Sequence, residues 1–155
     1  MKLLPIGILG SGKGSNCRAI LESVQSGKLP AEARIVISDV FDAPILDIAR
    51  EFSVPNAYLA PGEFRTRLEP TSEVDLVHML REAGVELVVL AGFMRVLKSP
   101  MLEAFPGKIV NIHPSLLPKF PGLEAWKQVL AGRENVTGCT VHHVDDKIDH
   151  GEIVA

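Results

Sequence analysis

Two hydrophobic patterns alternate along the 155 residues. One consists of short apolar runs of strand type; in the other, apolar positions recur every three or four residues, as on the buried face of a helix. The strand-type runs are Leu4–Leu9, Ala33–Ile37, Asn56–Leu59, Leu87–Leu90, Lys108–Asn111 and Val136–His143. Leu87–Leu90 is apolar on both faces, which predicts a central, buried strand. Ser15–Ser26 reads as a helix that opens on the capping residues Ser15 and Asn16 and stops at Gly27. Ala43–Phe52 carries Ile45, Ile48, Ala49 and Phe52 at helical spacing, and Ser72–Ala83 carries Val74, Val77, Leu80 and Ala83 before Gly84. Glu124–Leu130 is a short helix bounded by Gly122 and Gly132, and Ala60–Thr71, with its prolines and glycine, reads as a surface loop. The alternation predicts an α/β fold: a Rossmann-like, mostly parallel sheet with helices on both faces, in one domain across residues 1–155.

Composition narrows the function classes. The formal net charge of −3 argues against a general nucleic-acid partner, which needs a basic face. The longest apolar stretch, Leu87–Met94, falls far short of a membrane span. The apolar start is broken by Pro5 and Gly7 and runs into glycines, unlike an export signal. Cys17 and Cys139 are far apart and form no CxxC pair. A soluble, reduced, cytoplasmic protein is expected.

The first strand leads into Gly10-Ser11-Gly12-Lys13-Gly14-Ser15-Asn16 and then a helix. Glycines admit a close backbone approach, and a helix start offers free N–H donors at its positive end, so the turn suits an anion such as phosphate. Gly7 to Lys13 fits the P-loop spacing, but Gly14 stands where Ser or Thr would hold magnesium. The dinucleotide fingerprint fails as well, because Ser15 replaces its third glycine. Phosphate binding is favoured over a bare turn.

Asn111-Ile112-His113-Pro114-Ser115-Leu116-Leu117-Pro118 begins at the end of a strand, where open α/β sheets place their ligands. In an extended strand Asn111 and His113 share a face. An amide and an imidazole so placed suit acyl-type transfer: the amide donates to the developing oxyanion, and a protonated histidine stabilises it and gives a proton. A structural histidine in a turn fits the same spacing, which leaves both readings open. The late turn His142–Gly151 contains Asp145, Asp146 and Asp149, and spacing does not choose which of them would favour the protonated form of His113. His142, His143 and His150 lack metal-ligand spacing, so no metal is expected.

The octapeptide from Asn111 to Pro118 resembles the signature of the folate-dependent formyltransferases. Gly10–Asn16, Ala91–Leu97 and Asp146–Gly151 agree with that family in the same order along the chain, and Lys119–Leu123 resembles the branch that formylates glycinamide ribonucleotide in purine synthesis. The resemblance implies catalytic roles for Asn111, His113 and Asp149, with Asp149 keeping His113 protonated. It implies that Gly14, Ser15 and Asn16 hold the phosphorylated substrate. The cosubstrate, 10-formyltetrahydrofolate, would lie against Met94, Arg95, Val96 and Leu97, with Asn111 and Arg67 nearby. Lys13 departs from the family's pattern and would add charge beside the phosphate. Relatives usually continue beyond the position of Ala155, so the resemblance implies that the C-terminal part of the usual domain is absent. The partners implied are small molecules, with no nucleic acid and no membrane, in a monomer or homodimer. The alternatives are a formyltetrahydrofolate hydrolase of the same superfamily, which normally carries an additional N-terminal regulatory domain, and a non-catalytic nucleotide- or phosphate-binding module. Transfer to methionyl-tRNA is disfavoured by the missing basic face.

Overall fold

The computed structural model describes residues 1–155. Its elements run β1 (Leu4–Leu9), α1 (Ser15–Gln25), β2 (Ala31–Ser38), α2 (Pro44–Glu51), β3 (Asn56–Tyr58), α3 (Pro70–Glu82), β4 (Leu87–Leu90), α4 (Ser99–Ala104), β5 (Ile109–His113), α5 (Ala125–Ala131) and β6 (Thr140–His143). The six strands form one sheet in the order β3-β2-β1-β4-β5-β6. All neighbours are parallel except β5 and β6. β1 and β4 lie at the centre, as the two-faced apolarity of Leu87–Leu90 predicts.

Alternation along the strands feeds two cores. Ile6, Ile8, Val36 and Val89 pack on one face against Cys17 and Leu21 of α1 and Ile45, Ile48 and Ala49 of α2. Leu9, Ile37, Val88 and Leu90 pack on the other against Leu76 and Leu80 of α3 and Met101 of α4. Helices therefore cover both faces, as expected. Burial pushes the Cys17 thiol up to about 11, against the pull of the Arg18 guanidinium, so it stays protonated at neutral pH.

Several expectations shift. The strand expected over Val136–His143 begins only at Thr140, and β5 continues through His113. Helix α1 is not capped by Ser15 or Asn16. Gly14 is its N-cap, in the left-handed region at φ 76°, where a Cβ would also press on Ile45 at 2.9 Å. The face that α3 buries is Ser72, Glu73, Leu76, Val77 and Leu80, while Val74 is exposed. Its two polar members, Ser72 and Glu73, hide the stripe in the sequence.

That charge has a partner. Glu73, 1% exposed, accepts hydrogen bonds from the backbone N–H of Lys98 at 2.6 Å and of Met101 at 3.3 Å. A carboxylate on α3 thus caps the start of α4, a helix with no side-chain cap of its own. Glu73→Ala would leave both donors without this acceptor, the Met101 N–H in a buried position. A stability loss of about 3 kcal/mol is expected in urea unfolding, and a smaller one for Glu73→Gln, which keeps an acceptor oxygen. An unchanged midpoint for the alanine variant would show that α4 does not depend on this cap.

Candidate active site

The end of β5 and the antiparallel strand beside it bring the expected catalytic groups together. Register pairs Asn111 with His142 and His113 with Thr140. The Asn111 side-chain nitrogen lies 3.2 Å from Nε2 of His142. His113 is 3% exposed, and its ring sits between two acceptors. Nδ1 is 3.4 Å from Oδ2 of Asp149, an ion-pair separation, and Nε2 is 2.8 Å from the carbonyl oxygen of Phe120. Asp149 also faces Nε2 of His142 at 3.6 Å and accepts from the backbone N–H of Gly122 at 2.7 Å. Of the three aspartates left open by spacing, Asp149 is the one beside His113.

The loop carrying Phe120 is fixed by hydroxyls. Buried Ser115 donates from Oγ to the Lys119 carbonyl at 2.7 Å, and Thr140 donates to the Ser115 carbonyl at 2.7 Å while accepting from Leu117 N–H at 3.0 Å. A cleft of about 310 Å³ lies along this loop, lined by Leu116, Pro118, Phe120, Val129 and Val136 among others. Asn111, His113 and Asp149 do not line it.

The other expected site residues come from three neighbouring segments. Gly14, Ser15 and Asn16 form the start of α1, with Ser15 and Asn16 exposed, and Lys13 is exposed beside them. The first backbone N–H to be satisfied within the helix is that of Arg18, bonded to Gly14, so the donors before it remain available to an anion. Met94, Arg95, Val96 and Leu97 follow β4, with the Met94 side chain exposed and Leu97 buried in the core. Arg67 lies beside them, bridged to Val96 along the backbone and stacked over the Phe64 ring at 4.2 Å. The Ala60–Thr71 loop is therefore a strap laid against the segment after β4, and its last residues already belong to α3.

Comparison with known proteins gives the family. The family described as formyl transferase matches residues 4–155. The chain belongs to the formyl transferase family. It is 38% identical over 149 residues to the phosphoribosylglycinamide formyltransferase of Haemophilus influenzae, covering 96% of this chain and 69% of that protein. It is 40% identical to the trifunctional purine biosynthetic protein adenosine-3 of Homo sapiens, covering 96% of this chain and only 15% of that one. Among solved structures, glycinamide ribonucleotide transformylase 1 from Symbiobacterium toebii superposes with a TM-score of 0.94 at 44% identity, covering 99% of this chain and 72% of that chain. The mostly parallel formyltransferase fold expected from the sequence is the fold found.

Two residues of this candidate site carry no signal of it in the sequence. His142 reads in the sequence only as a candidate metal ligand, yet it is 2% exposed and stands between Asn111 and Asp149. Its pairing with Asn111 follows from strand register, which a sequence does not state. Asp39, at the end of β2, is the other. Its side chain is 2% exposed and salt-bridged to Arg95 at 2.7 Å. A lone acid after a strand carries no signal of such a partner 56 positions away.

Proposed function

We propose that this formyl transferase moves the formyl group of 10-formyltetrahydrofolate to the amine of glycinamide ribonucleotide, a step of purine synthesis, within one domain across residues 1–155. The observation that carries the reading is the His113 ring, held between the Asp149 carboxylate and the Phe120 carbonyl beside Asn111. Both ring nitrogens face oxygen atoms, Nδ1 across 3.4 Å and Nε2 across 2.8 Å, so the ring is oriented to donate from the nitrogen that carries hydrogen.

The chemistry follows from that placement. The amine nitrogen attacks the formyl carbon, a C–N bond forms, and the carbonyl oxygen takes up negative charge. Asn111 donates a hydrogen bond to this oxygen, and His113, released from the Phe120 carbonyl, stabilises it from Nε2 and supplies a proton. The bond between the formyl carbon and the folate nitrogen then breaks. The folate nitrogen gains a proton as the amine loses one. Asp149 holds the ring, and His142, with Nδ1 turned to the His143 carbonyl, orients the Asn111 amide through Nε2. Ser15 and Asn16, with the free N–H groups of the helix start, bind the substrate phosphate. The segment from Met94 to Leu97 receives the folate, with Arg67 at its edge.

A spectrophotometric assay of formylfolate consumption, with and without glycinamide ribonucleotide, tests the proposal. Loss of the formyl group that depends on the amine is expected. Loss at the same rate without it would replace transfer by hydrolysis, and no loss in either case would overturn both.

A further inference from the structure

Asp39 closes β2 at the carboxyl edge of the sheet, with each carboxylate oxygen bound to a different segment. Oδ1 accepts from the Ser11 hydroxyl at 2.5 Å, and Oδ2 accepts from Nε of Arg95 at 2.7 Å. Ser11 lies in the turn after β1, and its oxygen also accepts from the backbone N–H of Met94 at 2.9 Å. Arg95 continues outward through Nη1 to the carbonyl oxygens of Phe64 and Arg65, the latter at 3.0 Å. The Val96 N–H donates to the Thr66 carbonyl at 2.8 Å, completing the strap's attachment. The Arg95 side chain is only 16% exposed, so this charge is spent on the protein's own backbone.

From this geometry we infer that Asp39 is a positioning residue that fixes three ligand-bearing segments relative to one another: the phosphate turn, the segment after β4 and the strap carrying Arg67. The inference rests on the formyl-transfer reading for which ligand each segment takes. A buried carboxylate accepting two charge-assisted or hydroxyl hydrogen bonds is a rigid, short-range link, and its only direct partners are Ser11 and Arg95. The cluster of Asn111, His113, His142 and Asp149 shares no hydrogen bond with this network. Loss of Asp39 therefore acts on the binding of both ligands and leaves the proton-transfer groups in place. Asparagine at this position is nearly isosteric but offers one acceptor oxygen, so either the Ser11 hydroxyl or the Arg95 guanidinium loses its acceptor.

Asp39→Asn is expected to raise KM for glycinamide ribonucleotide and for formylfolate about tenfold each, with kcat within about threefold of the parent. Ser11→Ala, which cuts the turn arm alone, is expected to raise both KM values and to add little in the Asp39→Asn background, because the two changes sever one network. Leu80→Ala, a core truncation remote from the network, serves as the control for general loss of stability. Equal KM increases in that control at matched melting temperature would reduce Asp39 to a structural residue. A KM change confined to one ligand, or full additivity of the Ser11 and Asp39 variants, would overturn the coupling. Hydrogen exchange reads the same link without any turnover. Asp39→Asn should lose protection at the Met94 and Val96 amides while those of β1 and β4 keep theirs, and unchanged protection at Met94 and Val96 would overturn the clamp even in a protein that transfers no formyl group. If Asp39→Asn does not fold, Ser11→Ala alone decides by the same KM and exchange measurements.

Discussion

Replacing His113 by alanine is expected to lower kcat about a thousandfold, the scale of a lost proton donor and oxyanion partner acting together. KM for either substrate should change little, because the phosphate turn and the segment after β4 share no hydrogen bond with the His113 ring. The fold should survive. Asp149 keeps the Gly122 N–H, and the loop stays tied by the Ser115 hydroxyl on the Lys119 carbonyl. Steady-state kinetics beside a thermal melt separate the two effects. Wild-type-like kcat in the folded variant would remove His113 from the chemistry, and a collapse of the melt would assign it to structure.

Much of this architecture is legible in the sequence because the sheet's signals are strong. Leu4–Leu9 and Leu87–Leu90 coincide with β1 and β4 to the residue, since dense apolar runs between glycines and charges leave no other register. Helix α4 is invisible for the opposite reason: six residues with Pro100 in the first turn and a single buried side chain, Met101, cannot display a period. Glu73 of another helix caps it, an interaction without a local pattern. The expected strand over Val136–His143 is too long because Val136 and its neighbours look like a strand, yet Val136 is 71% exposed and pairs with nothing in the sheet. For the site, spacing placed Asn111 and His113 on one strand, while only the family resemblance chose Asp149 among three acids. The turn that holds Asp149 has φ 51° at that residue, a local conformation that aims its carboxylate inward and that no alternation rule encodes.

That turn is also the most exacting part of the site. Gly151 packs so tightly that a Cβ would stand 1.7 Å from the carbonyl oxygen of His143 and 2.7 Å from its carbon. The chain on either side is tied by hydrogen bonds. On one side Asp149 is held by Gly122. On the other, residues 152–155 run antiparallel to β6, through His143 N–H to Glu152 O at 2.8 Å and Val154 N–H to Val141 O at 2.7 Å. The His143 carbonyl itself faces Nδ1 of His142 at 2.9 Å, so displacing it turns the ring that aligns Asn111. Gly151→Ala is therefore expected to move Asp149 or His142. A shift of about 1 Å in such a constellation costs on the order of a hundredfold in rate, and the overpacking itself about 2 kcal/mol. Both losses are expected together, in kcat/KM and in the unfolding midpoint. Full activity with lowered stability would mean that the strain relaxes outward along residues 152–155, leaving the carboxylate beside His113.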